Sequence, residues 1–326
     1  MTPKRNEPCS CKSGFKFKHC CGALSAETAR PSQSELESLA IEADDEGLRA
    51  GEEPKQRAFM NVMRMVKRLN LDGVILVGEK APRIIQRIHA ANNRMFRTID
   101  KREGGIHLGF FMFRDLFAQL SVPLIFGTPQ IDFLTQLDLS DDQKRWMSTD
   151  TDAMARFEDQ AIDLFDFGYG WMEFGHSRSV PEKAKELIYR SHTYLEAAAA
   201  TATGAYDFRG TLQSALIGTE LAIKCGLACH GVDDAQMRTK YGHSLTKAAL
   251  ALGDLENCFD VDRVTRAVST FPDLAQSRYT GAQPSRIETG QILMKAQYVA
   301  SEVTRTFTDR DLRKDAGSAP IRAYPS

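Results

Sequence analysis

"GTLQSALIGTELAIKCGLACHG", residues 210–231, decides how this 326-residue chain is read. Its charges are confined to Glu220 and Lys224, an i,i+4 pair, and the rest is apolar nearly all round. A helix with no polar face belongs in the middle of a bundle, and Gly231 marks its end. Cys225 and Cys229 lie one turn apart on it and read as small core residues. Upstream, Pro181 opens "PEKAKELIYRSHTYLEAAAATATGAYD", a long helix ending near residue 206. Downstream, His243-Ser244-Leu245 opens a short helix, and another is expected at about 261–271. Ser285-x-x-Glu288 caps a last helix, on which Ile292, Ala296, Val299, Val303 and Phe307 share one face. Residues 179–308 are therefore expected to form a helical bundle, and 309–326 a loose tail.

The bundle resembles the HEPN helical class. The resemblance rests on "ELAIKCGLACHG", the following "GHSL", and "SRY" at 277–279 before an amphipathic final helix. Many HEPN proteins are ribonucleases with an Arg-x4–6-His pair, and Arg238-x4-His243 has that spacing. The resemblance implies that His243 moves the 2′-hydroxyl proton while Arg238 steadies the phosphorane charge. The family's pair opens a late helix, whereas this one follows the second. Packing of His243 at a helix start is the plainer alternative.

Residues 57–178 are expected to form a helical middle domain. Residues 55–102 hold twelve Lys/Arg against three Asp/Glu, and residues 103–186 hold seven against fifteen, so a net charge of −1 hides a basic segment followed by an acidic one. After Pro82, Ile84, Ile88, Ala91 and Met95 form an apolar stripe, with Arg83, Arg87, Arg94 and Arg97 beside it. Three readings stay open for these arginines: a grip on phosphates, a contact with the acidic segment, or a solvated face. In the acidic block, Ser140-x-x-Gln143 is a capping box. Asp159, Asp163 and Asp166 share one helix face, expected to be solvated or to mate with the arginines. Glu173-x-x-His176 is a single such pair, short of the two that di-iron bundles use. Phe110, Phe111, Phe113, Phe117, Phe165, Phe167, Tyr169 and Trp171 are expected in the core. Residues 25–56, polar and acidic with Pro31 and Pro54, read as a flexible linker, with a helical part at Glu35–Ala43 that has too little apolar surface to pack.

At the N-terminus stands "PCSCKSGFKFKHCC", residues 8–21, with four of the seven cysteines. Two close pairs, Cys9/Cys11 and Cys20/Cys21, supply the four thiolates of a closed, structural zinc site. A disulfide between the adjacent Cys20 and Cys21 would be strained, and cytosolic thiols stay reduced. So short a segment has no core, and zinc would supply its folding energy, on the order of 10–16 kcal/mol.

The stretch "RNEPCSCKSGFKFKHCCG" resembles the SEC-C motif, a small zinc module known from the tail of the bacterial secretion ATPase. Arg5, Asn6, Pro8, Ser13, Gly14, Lys16, Phe17, Lys18 and Gly22 match it along with the cysteines; Lys12 stands where the motif usually has glycine. The resemblance implies that Cys9, Cys11, Cys20 and Cys21 hold one Zn2+. It also implies that the module binds a protein partner, an export chaperone or the ribosome. Arg5, Lys16 and Lys18 with Phe17 suit an acidic groove or phosphates. The start MTPKRNEPCS has no apolar signal core and no run is long enough to span a bilayer, so a cytoplasmic protein without membrane contact is expected.

The expected fold is mainly α. A multi-helix body carries the HEPN-like bundle at its C-terminus and a zinc-stabilised hairpin module (1–24) at its N-terminus. The expected function is that of a zinc-dependent interaction protein. The alternative is a metal-independent HEPN-type endoribonuclease of stress or phage defence. Nucleic-acid contact through 55–102 and a homodimer complete the expectations.

Overall fold

A computed structural model describes residues 4, 6–9, 16–17, 31–71, 81–96, 105–125, 131–273, 283–315, 317 and 322–325. Among the described residues the fold is mainly helical, with one two-stranded sheet. The chain divides into two units, residues 1–104 and 105–326. The break falls inside the segment 57–178 expected to be one helical domain.

The first unit contains α1 (Gln33–Arg49), α2 (Pro54–Arg68) and α3 (Arg83–Asn93). Helix α1 contains the helical part expected at Glu35–Ala43 but is longer and packed, which corrects the expectation of a flexible linker. Ser32 opens it with a capping box: its hydroxyl accepts from the Glu35 N–H, and the Glu35 carboxylate accepts from the Ser32 N–H. Leu36, Ala40 and Ala43 are fully buried against Val62, Met65, Ile85 and Ile88. The acidic residues that suggested a tether are the partners of the basic ones that follow. Arg57 donates to Asp44 at 2.9 Å, Arg64 pairs with Glu52, and Arg68 reaches Glu42 and Glu46. Gly47 lets the Arg57 stem approach, since a Cβ there would stand 2.9 Å from it.

The second unit begins with a hairpin where a helix was expected. β1 (Gly105–Phe113) pairs antiparallel with β2 (Leu116–Pro123), placing Phe110 opposite Gln119 and Phe113 opposite Leu116. The register shifts between Gly105 and His107, a local irregularity near the start of β1. Phe110, Phe111 and Phe113 are all buried.

The remaining helices are α4 (Asp141–Ser148), α5 (Thr151–His176), α6 (Glu182–Gly204), α7 (Arg209–Cys229), α8 (Leu245–Leu255), α9 (Val261–Ser269), α10 (Arg286–Phe307) and the short α11 (Leu312–Asp315). Helix α7 packs against α6, α8 and α10, the central position its all-apolar surface demands. At Gly218 a Cβ would stand 2.9 Å from Leu195, so this glycine sets the close approach of α7 to α6.

One edge of β1 is sealed by side chains from three helices. Gln297 of α10 accepts the Phe110 N–H at 2.7 Å and donates to its carbonyl at 2.8 Å. Glu196 of α6 accepts the Leu108 N–H at 2.8 Å. Trp171 of α5 and His192 of α6 lie 3.2 and 3.1 Å from the Ile106 carbonyl. An open strand edge is thereby hydrogen-bonded without a third strand.

Candidate functional site

At the N-terminus, Pro8 and Lys16 form an antiparallel bridge. The Phe17 N–H donates to the Glu7 carbonyl at 2.7 Å, and the Glu7 N–H to the Lys4 carbonyl at 2.9 Å. Lys16 is exposed and Phe17 half-buried, while Cys9 is buried with a free thiol. Among the described residues of this segment, Cys9 is the one buried side chain. A buried thiol beside the Pro8–Lys16 bridge is compatible with a thiolate-held metal. Residues 5–23 match the SEC-C motif family. No curated protein and no solved structure matches the chain. The SEC-C motif is of a zinc-binding type, and Cys9 fits the donor set. Its expected companions Cys11, Cys20 and Cys21, and the expected partner-binding Arg5 and Lys18, lie outside the described residues.

The arginine stripe of α3 is largely occupied within its own unit. Arg94 pairs with Glu37 of α1, and Arg87 donates to the Pro31 carbonyl at 2.7 Å. Arg83 is exposed and lines, with Arg87 and Arg68, a cavity of about 1000 Å3 against α1. Arg97 lies outside the described residues. Four free guanidiniums on one face are therefore not what α3 presents, because Glu37 of α1 takes up one and the Pro31 carbonyl ahead of α1 another.

The aspartate stripe of α5 is neither solvated nor matched to α3. Asp159, Asp163 and Asp166 are buried, and their cations come from the far end of the chain. Arg305 of α10 donates to Asp163 at 2.9 Å and to Asp166 at 3.1 Å. Arg322 reaches Asp163 at 2.5 Å, and Arg313 pairs with Asp159. The N–H groups of Ala323 and Tyr324 donate to Asp159 at 2.6 and 2.8 Å, and that of Leu312 to Asp166 at 2.9 Å. The described tail residues are thus strapped onto α5, correcting the loose-tail expectation. Burial raises Asp166 to about 6, although Arg305 and the Leu312 N–H pull the other way. Burial also opposes the charge of Arg305, but Asp163, Glu302 and Asp166 outweigh it and keep the guanidinium protonated.

Arg238 sits exposed on a π-turn, Met237–Tyr241, which ends at Gly242 with φ 56°. The His243 ring is 62% exposed, with Nδ1 2.9 Å from the Glu220 carboxylate. Lys224 donates to the other oxygen of Glu220 at 2.5 Å. Glu173 pairs with Arg310, and His176 Nδ1 lies 2.7 Å from the Met172 carbonyl, so the Glu173-x-x-His176 spacing brings no ligand pair together.

A cluster that the sequence reading passed over lies at the sealed edge of β1. His107, His192 and Glu196 bring one donor atom each to within 4.8 Å of one another. Nε2 of His192 is 3.4 Å from Oε1 of Glu196, and Nδ1 of His107 is 3.8 Å from the same oxygen. His107 is 1% exposed, and neither of its ring nitrogens has a hydrogen-bond partner. Phe167 meets the His107 ring edge-on at 5.1 Å, and Trp171 covers the His192 ring at 4.3 Å. Burial, reinforced by His192, holds His107 well below the usual imidazole range, and burial lowers His192 to about 4. Burial raises Glu196, against the pull of the Leu108 N–H. The signal was present in the sequence: His192-x3-Glu196 places two donors on one helix face, beside a histidine in an apolar strand.

Proposed function

We propose that the protein is a zinc-dependent interaction protein, in which the SEC-C segment recruits the helical body to a partner with an acidic or phosphate-bearing surface. The match of residues 5–23 to the SEC-C motif carries the reading, and the buried Cys9 thiol agrees with it. Cys9, Cys11, Cys20 and Cys21 would hold one structural Zn2+, with no open coordination position. Exposed Lys16 beside half-buried Phe17 supplies charge and apolar area for an acidic groove, with Arg5 and Lys18 extending it. An export chaperone or the ribosome offers such a surface. Thiolate-held zinc suits a reducing cytoplasm. Deleting residues 1–24 from the full chain tests this. Loss of the chaperone or of ribosome co-sedimentation, with an unchanged helical spectrum, is expected. Undiminished binding to both would overturn the reading.

A second reading, an HEPN-type endoribonuclease, is favoured by one observation: His243 is an exposed imidazole oriented by the Glu220 carboxylate. It requires that His243→Ala abolish RNA cleavage while preserving the fold. Cleavage that survives the substitution removes this reading.

A further inference from the structure

We propose that His107, His192 and Glu196 form a second metal site, which binds one divalent transition-metal ion of the zinc class at the edge of β1.

Four observations converge on it. A buried imidazole with both nitrogens unpartnered is unusual, because a buried polar group without a partner is costly. A metal ion supplies the missing partner. The donor set is two imidazoles and one carboxylate, which suits late first-row divalent ions rather than Mg2+ or Ca2+. Both imidazoles are held neutral by burial, the protonation state a ligand requires.

The geometry is near what the ion needs. Zn–N and Zn–O bonds of ~2.0–2.2 Å put tetrahedral donors roughly 3.3–3.5 Å apart. The His192–Glu196 separation is 3.4 Å, and that of His107 to Glu196 is 3.8 Å. Metal binding requires the His192 proton to sit on Nδ1, so that Nε2 exchanges its contact with the Ile106 carbonyl, 3.1 Å away, for the ion. The Leu108 N–H already fixes Glu196 at 2.8 Å, the kind of outer contact that orients a ligating carboxylate.

The site also has an entrance. The Glu196 side chain is 35% exposed, whereas those of His192 and His107 are 10% and 0% exposed. An ion would enter past the carboxylate and finish against the buried ring. His192 and Glu196 lie on α6 and His107 on β1, so a bound ion would clamp the strand edge to the helix.

The test uses the full chain carrying Trp146→Phe, which leaves Trp171 as the single tryptophan. Chelator-stripped protein is reloaded with Zn2+, desalted and assayed for bound metal, with Co2+ as a quenching probe. Two zinc ions per chain are expected, falling to one in His107→Phe, in Glu196→Gln and in Cys20→Ser/Cys21→Ser. Co2+ is expected to quench Trp171, which stacks on His192, and to lose that effect in the first two variants only. Glu196→Gln keeps an acceptor for the Leu108 N–H, so it serves as the folded control if His107→Phe does not fold. Unchanged metal content and unchanged quenching in Glu196→Gln would overturn the proposal and leave His107 as a packed neutral ring. So would a parent chain that binds a single zinc, lost in the cysteine variant.

Discussion

One nitrogen of Arg305 donates to two buried carboxylates at once, Asp163 at 2.9 Å and Asp166 at 3.1 Å. Removing that guanidinium leaves Asp166 without its cation and Asp163 with Arg322 alone, and breaking such a set costs about 3–5 kcal/mol. Arg305→Met is expected to lower urea-unfolding stability by that order. Asp166→Asn in the same background is expected to restore part of it, because it removes the stranded charge while keeping an acceptor for the Leu312 N–H. Equal stability of Arg305→Met and the parent would contradict the arrangement.

The C-terminal strap contributes separately. Truncation after residue 315 removes Arg322 and the two N–H donors that Ala323 and Tyr324 give Asp159. Hydrogen bonds to charged groups contribute about 1.5–3 kcal/mol each, and shared donors do not add fully. A loss on the order of 3 kcal/mol is expected from thermal or urea unfolding. A loss below about 0.5 kcal/mol, the ordinary range for surface changes, would mean that the strap is idle.

Acid sensitivity has two opposing sources. His192 falls from about 6.5 when unfolded to about 4 when folded, so the folded state binds its proton less tightly. Its contribution is full above pH 6.5 and is lost as pH falls toward 4, on the order of 3 kcal/mol. The buried His107 works in the same direction. Asp166 rises from 3.8 to about 6, so its protonation favours the folded state, and that contribution is lost as pH climbs through 6. In chelator, His192→Gln is expected to flatten the loss of stability between pH 6.5 and 4, and Asp166→Asn to steepen it. Parallel pH profiles for all three proteins would refute this assignment.

The first unit offers a packing test. Leu36 is fully buried, and truncating such a leucine costs about 2–5 kcal/mol. Leu36→Ala is expected to make α1 susceptible to proteolysis within 33–49 while the second unit stays intact. If the parent is cut there just as readily, α1 is the tether its composition implied.

What was legible in the sequence follows from the kind of signal each element carries. The box at Ser140–Gln143 and the Ser285 hydroxyl that accepts the Glu288 N–H cap α4 and α10 as read, because capping is chemistry within four residues. Helix α7 was legible because no solvent-facing helix omits a polar side. The hairpin was not: β1 is apolar on both faces, so it lacks the alternation that marks a half-buried strand. Its turn also hides, since Arg114 takes φ 59°, a conformation usually signalled by glycine, with its guanidinium over Trp146 at 4.9 Å. Charge partners were the least legible. Asp159 meets Arg313, Tyr324 and Ala323, more than 150 positions away. Local spacing cannot announce such pairs. Helix α1 misled through composition: several of its acids are matched by arginines of α2 and by Arg94, and Leu36, Ala40 and Ala43 are enough to bury one face although Ile41 and Leu48 stay exposed.

The most direct measurement weighs zinc and partner together. Full-length protein and Cys20→Ser/Cys21→Ser would be purified side by side, assayed for bound zinc, and sedimented with ribosomes or mixed with the export chaperone. The variant is expected to lose one zinc and its hold on the partner together, with the helical spectrum unchanged. Zinc lost with partner binding intact would contradict the claim that the SEC-C segment is the address.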